Sequence, residues 1–181
     1  FRSASALSAL AAKTTVAVNA SAVTSVTGSA SELTTLYASS DISGLGNEAI
    51  SVSSGASTVA QANTLSAATS GVVTATISDG AISTLSGLTE TGNAYTITVT
   101  DTSVSASALS ALAAKTTVAV NASAVTSVTG SASELTTLYA SSDISGLGNE
   151  AISVSETISV ANANTISGLT TGVVTSNLTS G

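Results

Sequence analysis

A block of 51 residues, Ser3 to Ser53, returns without a single substitution at Ser105 to Ser155, 102 residues further on. The stretches after the two blocks are related too: "VAQANTLSAATSGVVT" at Val59 to Thr74 answers "VANANTISGLTTGVVT" at Val160 to Thr175 after one deletion. A period of this kind constrains the fold more than any single motif, because each copy must be a structural unit that tolerates a copy beside it. The expected division is residues 1–102 as a first repeat unit and 103–181 as a second, incomplete one, both within one continuous segment of a longer array.

Inside the period, alternating apolar stretches recur: "TVAVN" from Thr15, "AISVS" from Ala49, "VVTATIS" from Val72, "AYTITVT" from Ala94 and "TVAVN" again from Thr117. Their period of two and β-branched content are those of strands. Spacings of 34, 23, 22 and 23 residues then predict an all-β fold, a parallel β-solenoid with coils of roughly 22 residues. The span of 34 is too long for one coil and is expected to carry an extra loop or a helical excursion.

Between the strands runs a second phrase, an apolar residue followed by another three positions on, as in "LSAL" at Leu7, "VTSV" at Val23, "LTTL" at Leu33, "ISTL" at Ile82 and "ISGL" at Ile166. That spacing suits either a β-helix corner or one turn of a short helix. The alternative fold is therefore a β/α solenoid with short helices in some coils. The helical form is best supported at "SASELTTLY", where Ser29 and Glu32 have capping-box spacing ahead of Leu33 and Leu36.

Charged residues make up 7% of the chain, and Pro, Cys, Met, His and Trp are absent. A net charge of −7 with three cations removes the phosphate-neutralising groups on which nucleic-acid binding rests. Ser and Thr interrupt every apolar run well short of the 18 or so residues of a membrane helix. Without His or Cys there is no Ser–His–Asp triad, Cys–His pair or imidazole metal site.

The remaining chemistry rests on ten carboxylates. Asp41 and Glu48 flank the Gly-rich "DISGLGNE", and Asp143 and Glu150 repeat the arrangement. This reads as an exposed turn whose Asp caps the backbone, with the four acids as candidate calcium ligands and no catalytic or cofactor-binding residue assigned. Lys13 and Lys115 read as helix-end residues or partners of Glu, Tyr37 and Tyr139 as rings covered by the loop, and Asn19, Asn121 and Asn177 as matches to the glycosylation acceptor pattern.

The phrases "AAKTTVAVNASAVTSVTGSASELTTLYASSDISGLGNEAISVS" and "TTGVVT" resemble the long Thr- and Ser-rich repeats of giant cell-surface proteins of marine unicellular cyanobacteria, one of which is required for swimming. The resemblance covers nearly the whole chain. It implies an exported, extracellular, repetitive protein of a surface layer or filament. Apart from the resemblance, the chain is expected to be no enzyme, and its expected partner is another copy, or the continuation of its own chain, stacked on a solenoid end, with surface polysaccharide as a second candidate partner. Two other functions fit the repeats: the stalk of a large bacterial adhesin, and a β-helical polysaccharide-active enzyme.

Overall fold

The computed structural model describes residues 1–179. In chain order the elements are β1 (Arg2–Ser3), α1 (Ala4–Ala11), β2 (Val18–Asn19), β3 (Ser25–Ser29), α2 (Ala30–Ala38), β4 (Ile42–Ser43), β5 (Ala49–Ser54), α3 (Val59–Ala68), β6 (Val73–Thr76), α4 (Ile82–Leu85) and β7 (Ala94–Thr96). They continue as β8 (Ser103–Ser105), α5 (Ala106–Ala113), β9 (Val120–Asn121), β10 (Ser127–Gly130), α6 (Ala132–Ala140), β11 (Ile144–Ser145), β12 (Ala151–Ile158), α7 (Val160–Ser167) and β13 (Val174–Leu178).

The chain is thus mixed α/β, and the expected all-β solenoid does not form. Seven helices lie among the described residues, and the strands fall into separate open parallel sheets of five, four, two and two strands. Short helices in only some coils would also have understated them, since α1, α2 and α3 each follow a strand directly or after a short turn and run eight, nine and ten residues.

The reason lies in the phrase that sequence left ambiguous. "LSAL", "LTTL" and "ISTL" are helical, and at six of the seven described helix starts a hydroxyl stands where the first free N–H groups need an acceptor: Ser3 accepts from Ala6, Ser29 from Glu32 and Thr58 from Gln61, and Ser105, Ser131 and Ser159 do the same further on. The side chains of Glu32 and Gln61 reach back to complete capping boxes. "VTSV" at Val23 instead leads into β3, which pairs with both β1 and β5. The span of 34 residues therefore holds a full strand and helix, β3 and α2, rather than a loop.

The chain forms two compact units: residues 1–79, 87–96 and 115–117 make the first, and 80–86, 97–114 and the described residues from 118 onward the second. In unit 1 the five-stranded sheet has the order β1-β3-β5-β6-β7, with Val26 opposite Ile50 and Ile50 opposite Val73. These side chains and Tyr95 are at most 1% exposed, and α1, α2 and α3 contribute Leu7, Leu33, Leu36 and Leu65 to the core. Unit 2 repeats the plan with β8-β10-β12-β13, Val128 opposite both Val104 and Ile152, and Leu109, Leu135, Leu138 and Ile166 from its helices. Each fully buried Leu stabilises by about 1.5–3 kcal/mol relative to an exposed one. "TVAVN" contributes less strand than its pattern suggests: only Val18–Asn19 and Val120–Asn121 pair, and Val16 is 73% exposed.

Candidate functional site

The "DISGLGNE" loops supply the buried carboxylates of the two units, Glu48 and Glu150. In unit 1 the loop bridges β4 and β5, and it turns through Gly44 and Gly46, both at positive φ. Its carboxylates part company. Asp41 is exposed and contributes its backbone carbonyl, which accepts from the Val18 N–H at 2.8 Å. Glu48 turns inward and is 1% exposed, so the reading of the whole loop as a surface turn is corrected at this residue.

Inside, the Glu48 carboxylate accepts from the Tyr37 hydroxyl and from the N–H groups of Gly46 at 2.8 Å and Asn47 at 3.1 Å. Burial alone pushes its pKa up, but the Tyr37 hydroxyl and the backbone N–H groups outweigh that and hold it below the ordinary carboxylate value. Burial, reinforced by the Glu48 bond and charge, pushes the Tyr37 phenol well above its ordinary value. The Glu48 carbonyl in turn accepts from the Thr69 hydroxyl at 2.6 Å. Gly71 lies so close to that carbonyl that a Cβ there would overlap it.

Unit 2 builds the same latch. Glu150, 1% exposed, accepts from Tyr139, Gly148 and Asn149, and its carbonyl accepts from Thr170 at 2.7 Å. Asp143 is exposed and offers its carbonyl to Val120 at 2.9 Å. The four candidate calcium ligands are therefore not gathered around one point. In each pair the buried acid accepts from an O–H and backbone N–H donors of its own loop and helix. Among the described residues no group of three or more acids is placed to hold a metal.

Other carboxylates do similar work. Asp79 accepts from the Val59 N–H at the start of α3 at 2.7 Å, Asp101 from Ile82 at the start of α4 at 2.6 Å, and Glu156 from Ala132 at the start of α6 at 2.9 Å. Each places a negative charge at the positive end of a helix about twenty residues earlier in the chain. None of these contacts was anticipated, because a cap supplied from a distant segment leaves no local spacing to read. Lys13 follows the end of α1, as expected, and Lys115 donates to the Thr89 carbonyl at 3.3 Å. Asn19 and Asn121 accept from Ser21 and Ser123 in tight turns.

No helix among the described residues is long and apolar enough to cross a membrane. Comparison of the chain with protein-family models, with curated proteins and with solved structures finds no match.

Proposed function

We propose that the chain is a structural segment of an extracellular cell-surface protein, that it associates with further copies of itself, and that it carries no catalytic role. The observation that carries the reading is where the acids go. Seven of the ten carboxylates, Glu32, Glu48, Asp79, Asp101, Glu134, Glu150 and Glu156, accept hydrogen bonds from the chain's own backbone or hydroxyls. Groups that would do acid–base or metal chemistry hold helices and loops in place instead. The second support is duplication, since two copies of one block keep the same internal latch and the same capping boxes. The resemblance to repeats of giant surface proteins supports the extracellular setting.

Two measurements test this. Antibody against the 51-residue block should label intact, unpermeabilised cells. The purified chain should show a sedimentation-derived mass that rises with concentration. Labelling only after permeabilisation overturns the surface location, and a constant monomer mass overturns self-association.

A further inference from the structure

Three of the ten acids keep their carboxylates free of the caps and latches, and one of them, Glu90, borders a cavity in unit 1. Glu90 is exposed, and its carboxylate takes no hydrogen bond or ion pair from the described residues. The loop that carries it, ahead of β7, is nonetheless braced. The Asn63 side chain on α3 donates to the Gly87 carbonyl at 2.8 Å and accepts from the Thr89 N–H at 3.1 Å. The Lys115 ammonium donates to the Thr89 carbonyl at 3.3 Å, and Thr117 donates to the Asn93 carbonyl through its N–H at 2.9 Å and its hydroxyl at 3.2 Å. A free charge on a loop fixed by its neighbours is a binding group held ready.

The cavity has a volume of about 160 Å³ and lies between this loop and the end of α3, with Ser66, Thr69 and Ser70 on one wall and Glu90, Thr91 and Asn93 on the other. Ser66 is 8% exposed, and its hydroxyl oxygen is buried without a hydrogen-bond partner. The neighbouring Tyr95 hydroxyl does not supply one, since it reaches toward the Ala62 carbonyl at 3.5 Å. Buried polar atoms are paired in nearly all folded chains, so the partner of Ser66 must enter through the cavity.

The walls decide what kind of partner that is. The Asn93 Oδ1 already accepts from the Val73 N–H at 2.8 Å, and the Thr69 hydroxyl is held by the Glu48 carbonyl and the Gly71 N–H. What remains is hydroxyl oxygen from Ser66, Ser70 and Thr91 and carboxylate oxygen from Glu90, a donor set for a hard cation. The end of α3 adds partial negative charge and has no basic residue in its last turn, while the Lys115 ammonium is engaged at Thr89. Calcium sites gather several carboxylates, and this cavity offers one, which balances a single positive charge. We infer that the cavity binds a monovalent alkali cation, with the Glu90 carboxylate and the Ser66 hydroxyl as its anchoring oxygens. The ion ties the end of α3 to the loop ahead of β7, so the stability of unit 1 follows the alkali cation concentration of the medium.

The test melts the full chain in sodium chloride and in choline chloride at equal ionic strength, because choline is too large to enter. Exchanging choline for sodium should raise the melting temperature by about 2–4 °C, the shift expected for an ion present at several times its dissociation constant. Glu90→Gln and Ser66→Ala should each abolish the rise. Both should fold, since Glu90 is exposed and removing an unpartnered buried hydroxyl breaks no hydrogen bond. Asp41→Asn, which removes an exposed charge elsewhere, should keep the full rise and so separates binding from a general effect of charge. Equal melting temperatures in the two salts overturn the proposal, as does a rise that survives either cavity variant or disappears in Asp41→Asn. A rise given by calcium chloride and not by sodium chloride overturns the assignment to a monovalent ion.

Discussion

The Tyr37 hydroxyl donates to the Glu48 carboxylate across eleven residues of sequence, closing the loop between α2 and β5 over a buried charge. Tyr139 and Glu150 do the same in the second copy. Tyr37→Phe removes one donor and leaves the carboxylate buried on backbone N–H groups alone, a loss of about 1–3 kcal/mol. Glu48→Ala should cost at least as much, because the Gly46 and Asn47 N–H groups then lose their acceptor. Chemical denaturation of both variants, with exposed Asp41→Asn as a control within about 0.5 kcal/mol of wild type, checks the difference.

The latch also sets the pH range. The Tyr37 phenol is raised in the folded state, so its contribution is complete below the ordinary phenol value of 10.0 and declines as pH rises beyond it toward the folded value. Glu48 is lowered, so its contribution is present above the ordinary carboxylate value of 4.5 and is lost as pH falls through the lower folded value. Melting temperature should therefore be flat through the neutral range and fall on both sides. In Tyr37→Phe with Tyr139→Phe the alkaline fall should flatten.

Gly71→Ala should be more damaging than an ordinary substitution in a half-buried turn. A methyl there would press on the Glu48 carbonyl, and the Thr69 hydroxyl already holds that oxygen. Backbone must shift in β5 or in the turn, at a cost of about 1–3 kcal/mol. Gly172→Ala against Glu150 should behave alike. Urea titration of each variant would show it, and midpoints unchanged from wild type would remove the close approach from the account.

Asp79→Ala should fray the start of α3. The lost bond to the Val59 N–H is charge-assisted, and helix-start acceptors of this kind contribute about 0.5–2 kcal/mol. Hydrogen exchange at Val59 should accelerate while exchange at Leu33 in α2 stays at the wild-type rate.

Chelator should leave the melting temperature unchanged, because the inward-facing acids Glu48 and Glu150 already accept several donors each. A clear drop on chelation would place a cation in one of these loops.

Strand positions were readable where alternation was strong: "AISVS" becomes β5 and β12, and "AYTIT" includes β7. The helices were half visible. Apolar spacing of three belongs to a corner and to a helix alike, and the deciding sign was the hydroxyl three residues ahead of the N3 position, read at Ser29 but passed over at Thr58 and Ser159. β3 was missed because "SVTGS" has one apolar residue and a glycine, yet its place between β1 and β5 supplies the pairing that its composition does not. The latch was hidden for another reason. Tyr37 and Glu48 are joined by neither helical nor strand periodicity, and only the folded loop brings them together.

Strand partners and cross-links in this chain stand about 20 to 33 residues apart, well inside the 102-residue period. Val26 pairs with Ile50 and Val128 with Ile152, the Thr126 hydroxyl reaches back 24 residues to Thr102, and the Tyr95 hydroxyl reaches back 33 to Ala62. A gene encoding such contacts can gain or lose a 102-residue block by unequal recombination between its identical stretches, and residues at the edges of an inserted block meet in the flanking copy the same kind of partner they had before. Length then becomes a heritable variable that drifts by whole blocks, and alleles differing only in copy number should share one local structure.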